Sequence, residues 1–99
     1  MAADIQPDAL DYKIIENGKR YTKVSFKFQI RNNEEPREMF IKIAGKDSAG
    51  FELERVNISL KLNAEESRTV TKIDSVSNDN LQKIVVWEFG DIKQFPLKK

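Results

Sequence analysis

Apolar and polar residues alternate strictly along two stretches of the chain. In the first, Val24, Phe26, Phe28 and Ile30 enclose Ser25, Lys27 and Gln29; in the second, Val56, Ile58, Leu60 and Leu62 enclose Asn57, Ser59 and Lys61. A period of two sends successive side chains to opposite faces of a sheet, so each stretch reads as a strand with one dry and one wet face. Half-buried strands need a second layer over the dry face. Leu10, Tyr12 and Ile14 alternate in the same way before Glu16-Asn17-Gly18-Lys19 interrupts, which marks a hairpin.

Parity chooses between two forms of that hairpin. A two-residue Asn17-Gly18 turn opposes Ile14 to Tyr21 and puts Leu10, Tyr12 and Ile14 on the wet face of Ser25 and Lys27. A three-residue loop with a left-handed, bulged Gly18 opposes Ile14 to Arg20, Tyr12 to Thr22 and Leu10 to Val24, which gathers the even-numbered apolar residues on one face. The second form is preferred.

Further strands are expected over 38–46, from Phe51 to Leu62 with a bend or bulge around 54–56, over 67–73, over 81–89, and from Ile92 to Leu97 as a closing edge limited by Pro96. The run Ile84-Val85-Val86-Trp87 suits a central strand. Polar turns are expected at 31–36, at Asp47-Ser48-Ala49-Gly50 with a positive-φ glycine, at 63–66 and at 74–80. The only helical competitor, 64–68, is too short to stand. About seven strands and no amphipathic helix predict an all-β, immunoglobulin-like antiparallel β-sandwich over residues 10–97, preceded by a flexible tail over 1–9. A small barrel is the alternative.

The order of elements resembles the immunoglobulin-like domains of bacterial cell-envelope proteins, particularly the FxLYD type. In these an alternating strand ends in asparagine, as Val24 to Asn32 does here, and a second strand runs into a turn with aspartate and glycine before another apolar residue, as Ile41 to Phe51 does. A turn and a polar-apolar strand follow, as in Leu62 to Val70. The chain departs where the family takes its name, since Ile43-Ala44-Gly45-Lys46-Asp47 replaces the leucine-tyrosine-aspartate step. The resemblance implies the sandwich fold and an extracytoplasmic or envelope location, and it brings no catalytic residue.

Composition narrows the chemistry. With 99 residues the chain has the usual size of one domain, and one core suffices without metals or disulfides. Seventeen basic against sixteen acidic residues give a net charge of +1, far from the excess that phosphate backbones attract. No nucleic-acid partner is expected, and no apolar run is long enough for a membrane helix. The start Ala2-Ala3-Asp4 suits a mature exported chain as well as any soluble one.

Histidine and cysteine are both missing from the sequence, which removes Ser-His-Asp and Cys-His nucleophiles and nitrogen–sulfur zinc sites. Carboxylate catalysis would need a desolvated acid. The acids here fall in turns and at outward strand positions, so no enzyme is expected. Calcium is the one ion weighed, at 74–80 and around Asp47 and Glu52; both stretches read as turns, and no cofactor is expected. Asn57-Ile58-Ser59 matches a glycosylation acceptor inside a strand.

Binding is the remaining class. Phe40, Trp87 and Phe89 have parities that do not all fit one core, and they are the candidate exposed aromatics for a protein partner or neighbouring domain. Trp87 has a competing place in a sandwich core. Lys23, Lys27, Arg31 and Lys61 lie on wet faces and read as a solubilising surface. The expectation is therefore a noncatalytic β-sandwich module for protein interaction or spacing in a bacterial envelope or exported protein, with 92–95 as its open edge. The alternative is a small barrel that binds oligosaccharide or single-stranded nucleic acid.

Overall fold

A computed structural model describes residues 7–33 and 35–97. It contains two three-stranded antiparallel sheets stacked over a common core. Six strands occur among the described residues: β1 (Asp8–Asn17), β2 (Tyr21–Arg31), β3 (Arg37–Lys46), β4 (Glu52–Leu62), β5 (Ser67–Ser77) and β6 (Val86–Pro96), with one short helix, α1 (Asn78–Lys83), before the last. The strand orders are β1-β2-β5 and β4-β3-β6. Among the described residues no sheet closes on itself, as the barrel alternative would require.

Each sheet is centred on its most regular strand. In β2 the even-numbered residues Val24, Phe26, Phe28 and Ile30 are buried; in β3 Met39, Ile41 and Ile43 play the same part, and Val56, Ile58, Leu60 and Leu62 of β4 join them. The layers meet through aromatic contacts. Phe26 meets Trp87 edge-on with ring centroids 4.7 Å apart, and Phe28 meets Phe89 at 5.3 Å. Such T-shaped pairs set the negative face of one ring against the positive edge of the other.

The first hairpin has the expected parity by a different route. Tyr12 lies opposite Phe26 and Ile14 opposite Val24, so the even-numbered apolar residues do share the inner face. The bulge sits within β1 at Ile15, however, and pairing resumes at Glu16 with Lys23. Gly18 has no positive φ. A second irregularity falls between Asp8 and Asp11, where Ala9 adopts φ 55°. Asp8 and Ala9 thus belong to a strand rather than to the tail expected over 1–9; residues 1–6 of that tail lie outside the described residues.

The largest corrections fall between 74 and 97. The expected polar loop at 74–80 is instead the end of β5, with Val76 fully buried, followed by α1. Residues 81–83 of the strand expected at 81–89 fall in α1, and 86–89 join the strand expected at 92–97 in one strand, β6, an edge rather than a central strand, with Gly90 and Asp91 forming a bulge between Phe89 and Ile92. Merging two strands reduces the expected seven to six. A six-residue helix does not hold itself together. Tertiary bonds fix this one: Asn78 donates its backbone N–H to the Arg20 carbonyl (2.8 Å), its side-chain amide donates to the Gly18 carbonyl (2.9 Å), and its side-chain oxygen accepts from the Thr22 hydroxyl (2.6 Å).

Two turns behave as read. Gly50 takes φ 87°, and the Asp47 carboxylate accepts from the backbone N–H groups of Ala49 and Phe51 (both 2.9 Å). At 63–66, the Glu66 carboxylate accepts from the Asn63 N–H (2.8 Å) and from Arg68 (2.7 Å). Fully buried Asn32 joins this turn to the β2–β3 connection, donating from its side chain to the carbonyls of Glu35 and Asn63 (both 2.9 Å). The parity switch before Val56 is a bulge at Leu53, one residue before the expected 54–56.

Candidate functional site

The three aromatics singled out by parity part company in the structure. Trp87 points inward opposite Gly45 and is 7% exposed, so it belongs to the core and is withdrawn as an exposed residue. Its ring lies flush on the backbone of β3. A Cβ placed on Gly45 would come within 2.7 Å of the Trp87 ring and 2.8 Å of Ile84. Phe89 also points inward, opposite Ile43, and is half-buried against Phe28. The reason is the bulge at Gly90 and Asp91. It reverses parity within β6, so Trp87 and Phe89 face inward at odd numbers while Ile92 and Gln94 do so at even ones.

Phe40 alone of the three reaches the surface, on the outer face of the β4-β3-β6 sheet. There it meets Phe95, which parity had not singled out, with ring centroids 5.8 Å apart. Phe95 became an outward residue through the same bulge, which is why numbering parity along 81–97 missed it. The two rings border a shallow groove of about 630 Å³ that also involves Lys42, Arg55, Asn57 and Lys93.

The charges beside this groove are largely matched. Glu52 receives Lys42 at 3.2 Å and Arg55 at 2.9 Å, and these contacts hold its carboxyl below the usual carboxylate range, Arg55 being the larger cause. Lys46 pairs with Glu88, which raises the Lys46 pKa chiefly through their hydrogen bond. Cations neutralised in this way offer little to a phosphate backbone. Nor do the basic residues form one patch: Lys23, Lys27 and Arg31 lie on β2, whereas Lys61 lies opposite Glu38 on the other sheet.

The stretches weighed for calcium have other uses. Asn78 ties α1 to the first hairpin, and the Asn80 side chain donates to the Leu53 carbonyl (3.3 Å) and to the Glu54 carboxylate. No group of three or more potential metal-ligating His, Cys, Asp or Glu residues occurs among the described residues. Among them, too, no helix is long and apolar enough to cross a membrane.

Among the described residues four strand edges are open: β1, β5, β4 and β6. They differ in what flanks them. β1 carries two irregularities, and only Leu10 among its residues is even half-buried. β5 places Arg68, Lys72 and Asp74 opposite the inward residues Ile30, Phe26 and Val24. Broken register and inward-pointing charges are both ways of discouraging a further strand. The outer flank of β4 is polar, through Arg55, Asn57, Ser59 and Lys61.

Among the described residues, only β6 combines a row of inward apolar residues, Trp87, Phe89 and Ile92, with exposed apolar side chains at both ends of its outer flank, Val86 and Phe95. The closing edge expected at 92–95 is therefore part of a longer edge that begins at Val86. No protein family matches this chain, and no curated protein or solved structure matches it.

Proposed function

We propose that the protein is a noncatalytic, immunoglobulin-like β-sandwich module that works through its β6 edge, adding a partner's strand to the β4-β3-β6 sheet. The carrying observation is the flanking of β6 by Val86 and Phe95, with Phe40 beside Phe95, and a bulge confined to mid-strand, whereas β1 is irregular near both ends, β5 points charges inward and the outer flank of β4 is polar throughout. Backbone hydrogen bonds supply affinity in such an addition, and side chains at alternate positions supply choice of partner.

The strand order supports the immunoglobulin-like reading. Taken as A, B, C, C′, E and F, the six strands of the described residues give A-B-E and C′-C-F, the neighbour order those strands have in that fold. In this correspondence the open side of β6 is where the strand that follows F pairs in that fold. An extracytoplasmic, bacterial-envelope setting is the location that goes with the FxLYD resemblance, and it is part of the proposal.

Site-resolved amide exchange on dilute protein tests the edge. Alternate amides of β6 point away from β3, so residues 86–89 and 92–95 should alternate between slow and fast exchange. Uniformly slow exchange along β6 in the dilute protein would show that this edge is already covered and would defeat the reading.

A further inference from the structure

The side chains of β6 are complementary to β6 itself. We infer that the strand added to this edge is β6 of a second copy, antiparallel across a two-fold axis, which would join two three-stranded sheets into one of six strands. The inference rests on the reading of β6 as the working edge and names its partner.

The register follows from the bulge. In an uninterrupted strand, residues three apart point to opposite faces and cannot lie opposite one another in a two-fold pair. In β6 the bulge at Gly90 and Asp91 places Phe89 and Ile92 on the same inner face, opposite Ile43 and Ile41. With the axis between Gly90 and Asp91, Phe89 therefore faces Ile92 of the other copy, both inward. Stepping outward, Glu88 faces Lys93, both on the outer face; Trp87 faces Gln94, both inward; and Val86 faces Phe95, both outward. Every pair agrees in face because the bulge lies at the centre.

The chemistry of the pairs agrees as well. Glu88 and Lys93 bring opposite charges together, and symmetry makes that contact twice. Val86 and Phe95, 41% and 48% exposed in the single chain, would cover one another, and Phe40 beside Phe95 would extend the apolar strip on each side. Gly90, with no side chain, lies at the crowded centre. Opposite charges and apolar pairs directly across an antiparallel ladder are the stabilising kinds. Two-fold pairing of like surfaces is also the commonest way in which a chain associates with itself.

Sedimentation of the full chain from micromolar to millimolar concentration tests this. The expected result is a monomer–dimer equilibrium in which Lys93→Glu or Glu88→Lys alone, each creating two like-charge contacts, weakens association about tenfold or more. The combined Glu88→Lys, Lys93→Glu chain should recover association, since the exchanged charges again face one another. Glu88 also serves Lys46 within its own chain, so far-ultraviolet circular dichroism must show each variant folded. If Glu88→Lys is not, Lys93→Glu and Phe95→Asp carry the test, and both should weaken association.

A chain that stays monomeric throughout, with alternating exchange on β6, would overturn self-pairing and leave the edge open to another protein. Dimers indifferent to these substitutions would place the contact elsewhere. Dilute monomer with uniformly protected β6 would defeat both the pairing and the reading beneath it.

Discussion

The edges β1 and β6 meet on one side of the sandwich, where the Tyr12 and Trp87 rings lie 6.2 Å apart, yet they are built in opposite ways. Both carry bulges. In β1 the irregularities lie near the two ends, and Tyr12 and Ile14 remain about half exposed although they face inward. In β6 a single bulge lies near the middle and turns Trp87, Phe89 and Ile92 to the same inner face. A bulge is thus not one kind of device: its position decides whether it spoils an edge or matches that edge to itself.

The sharpest way to break the comparison is to truncate the two rings that touch. Trp87→Ala should cost about 3–5 kcal/mol, as for a large buried aromatic, whereas Tyr12→Ala at the exposed edge should cost about 1 kcal/mol or less. Urea denaturation of both variants measures the difference, and equal losses would mean that β1 is as integral to the core as β6. Gly45→Ala comes next. Its Cβ would collide with the Trp87 ring and Ile84, so a loss of about 1–3 kcal/mol is expected from overpacking, read in the same experiment.

Acid should loosen the turns and faces before the core. The carboxyls of Glu52 and Glu66 are held below 4.5, the first mainly by Arg55 and the second mainly by the Asn63 backbone N–H. Their contribution to stability is complete above that value and is lost as pH falls through the lower native values. Lys46, raised above 10.5 by Glu88, behaves in the opposite sense, its contribution being lost as pH rises beyond that value. Thermal melts should therefore show Tm falling below about pH 4.5, and Arg68→Ala should flatten that fall. The smallest effect belongs to the β1 bulge: Ile15→Lys, at an exposed and unpaired position, should change stability by no more than about 0.5 kcal/mol.

The core of the fold was legible wherever alternation ran unbroken. Val24 to Ile30 and Val56 to Leu62 are the strands that their period announces, and the inner face of the first hairpin follows from the same parity. Legibility failed where alternation is interrupted. Ser77-Asn78-Asp79 begins a helix whose short length gives little periodic signal, and its stability lies in bonds to Gly18, Arg20 and Thr22 that are distant in sequence. Gly90-Asp91 has the composition of a turn, and only pairing with β3 makes it a bulge.

The same ambiguity divided the candidate site. Of the three candidate aromatics, Phe40 lies outside on the regular strand β3, Trp87 takes the core place that competed with exposure, and Phe89 turns inward while Phe95 turns outward because one shifted residue reverses every face beyond it. The same bulge puts Glu88 and Lys93, of opposite numbering parity, on one outer face. Their relation appears only when the strand is set against its own copy.

Because the chain has no cysteine, the register of that pairing can be read by introduced ones. Glu88→Cys and Lys93→Cys chains, prepared separately and oxidised alone or as a mixture, place thiols opposite one another only in the mixed pair. Self-pairing through β6 predicts disulfide-linked dimers from the mixture and few from either chain alone. Cross-linking of either variant with itself as readily as in the mixture, or no cross-linking in a mixture that sediments as dimers, would contradict it.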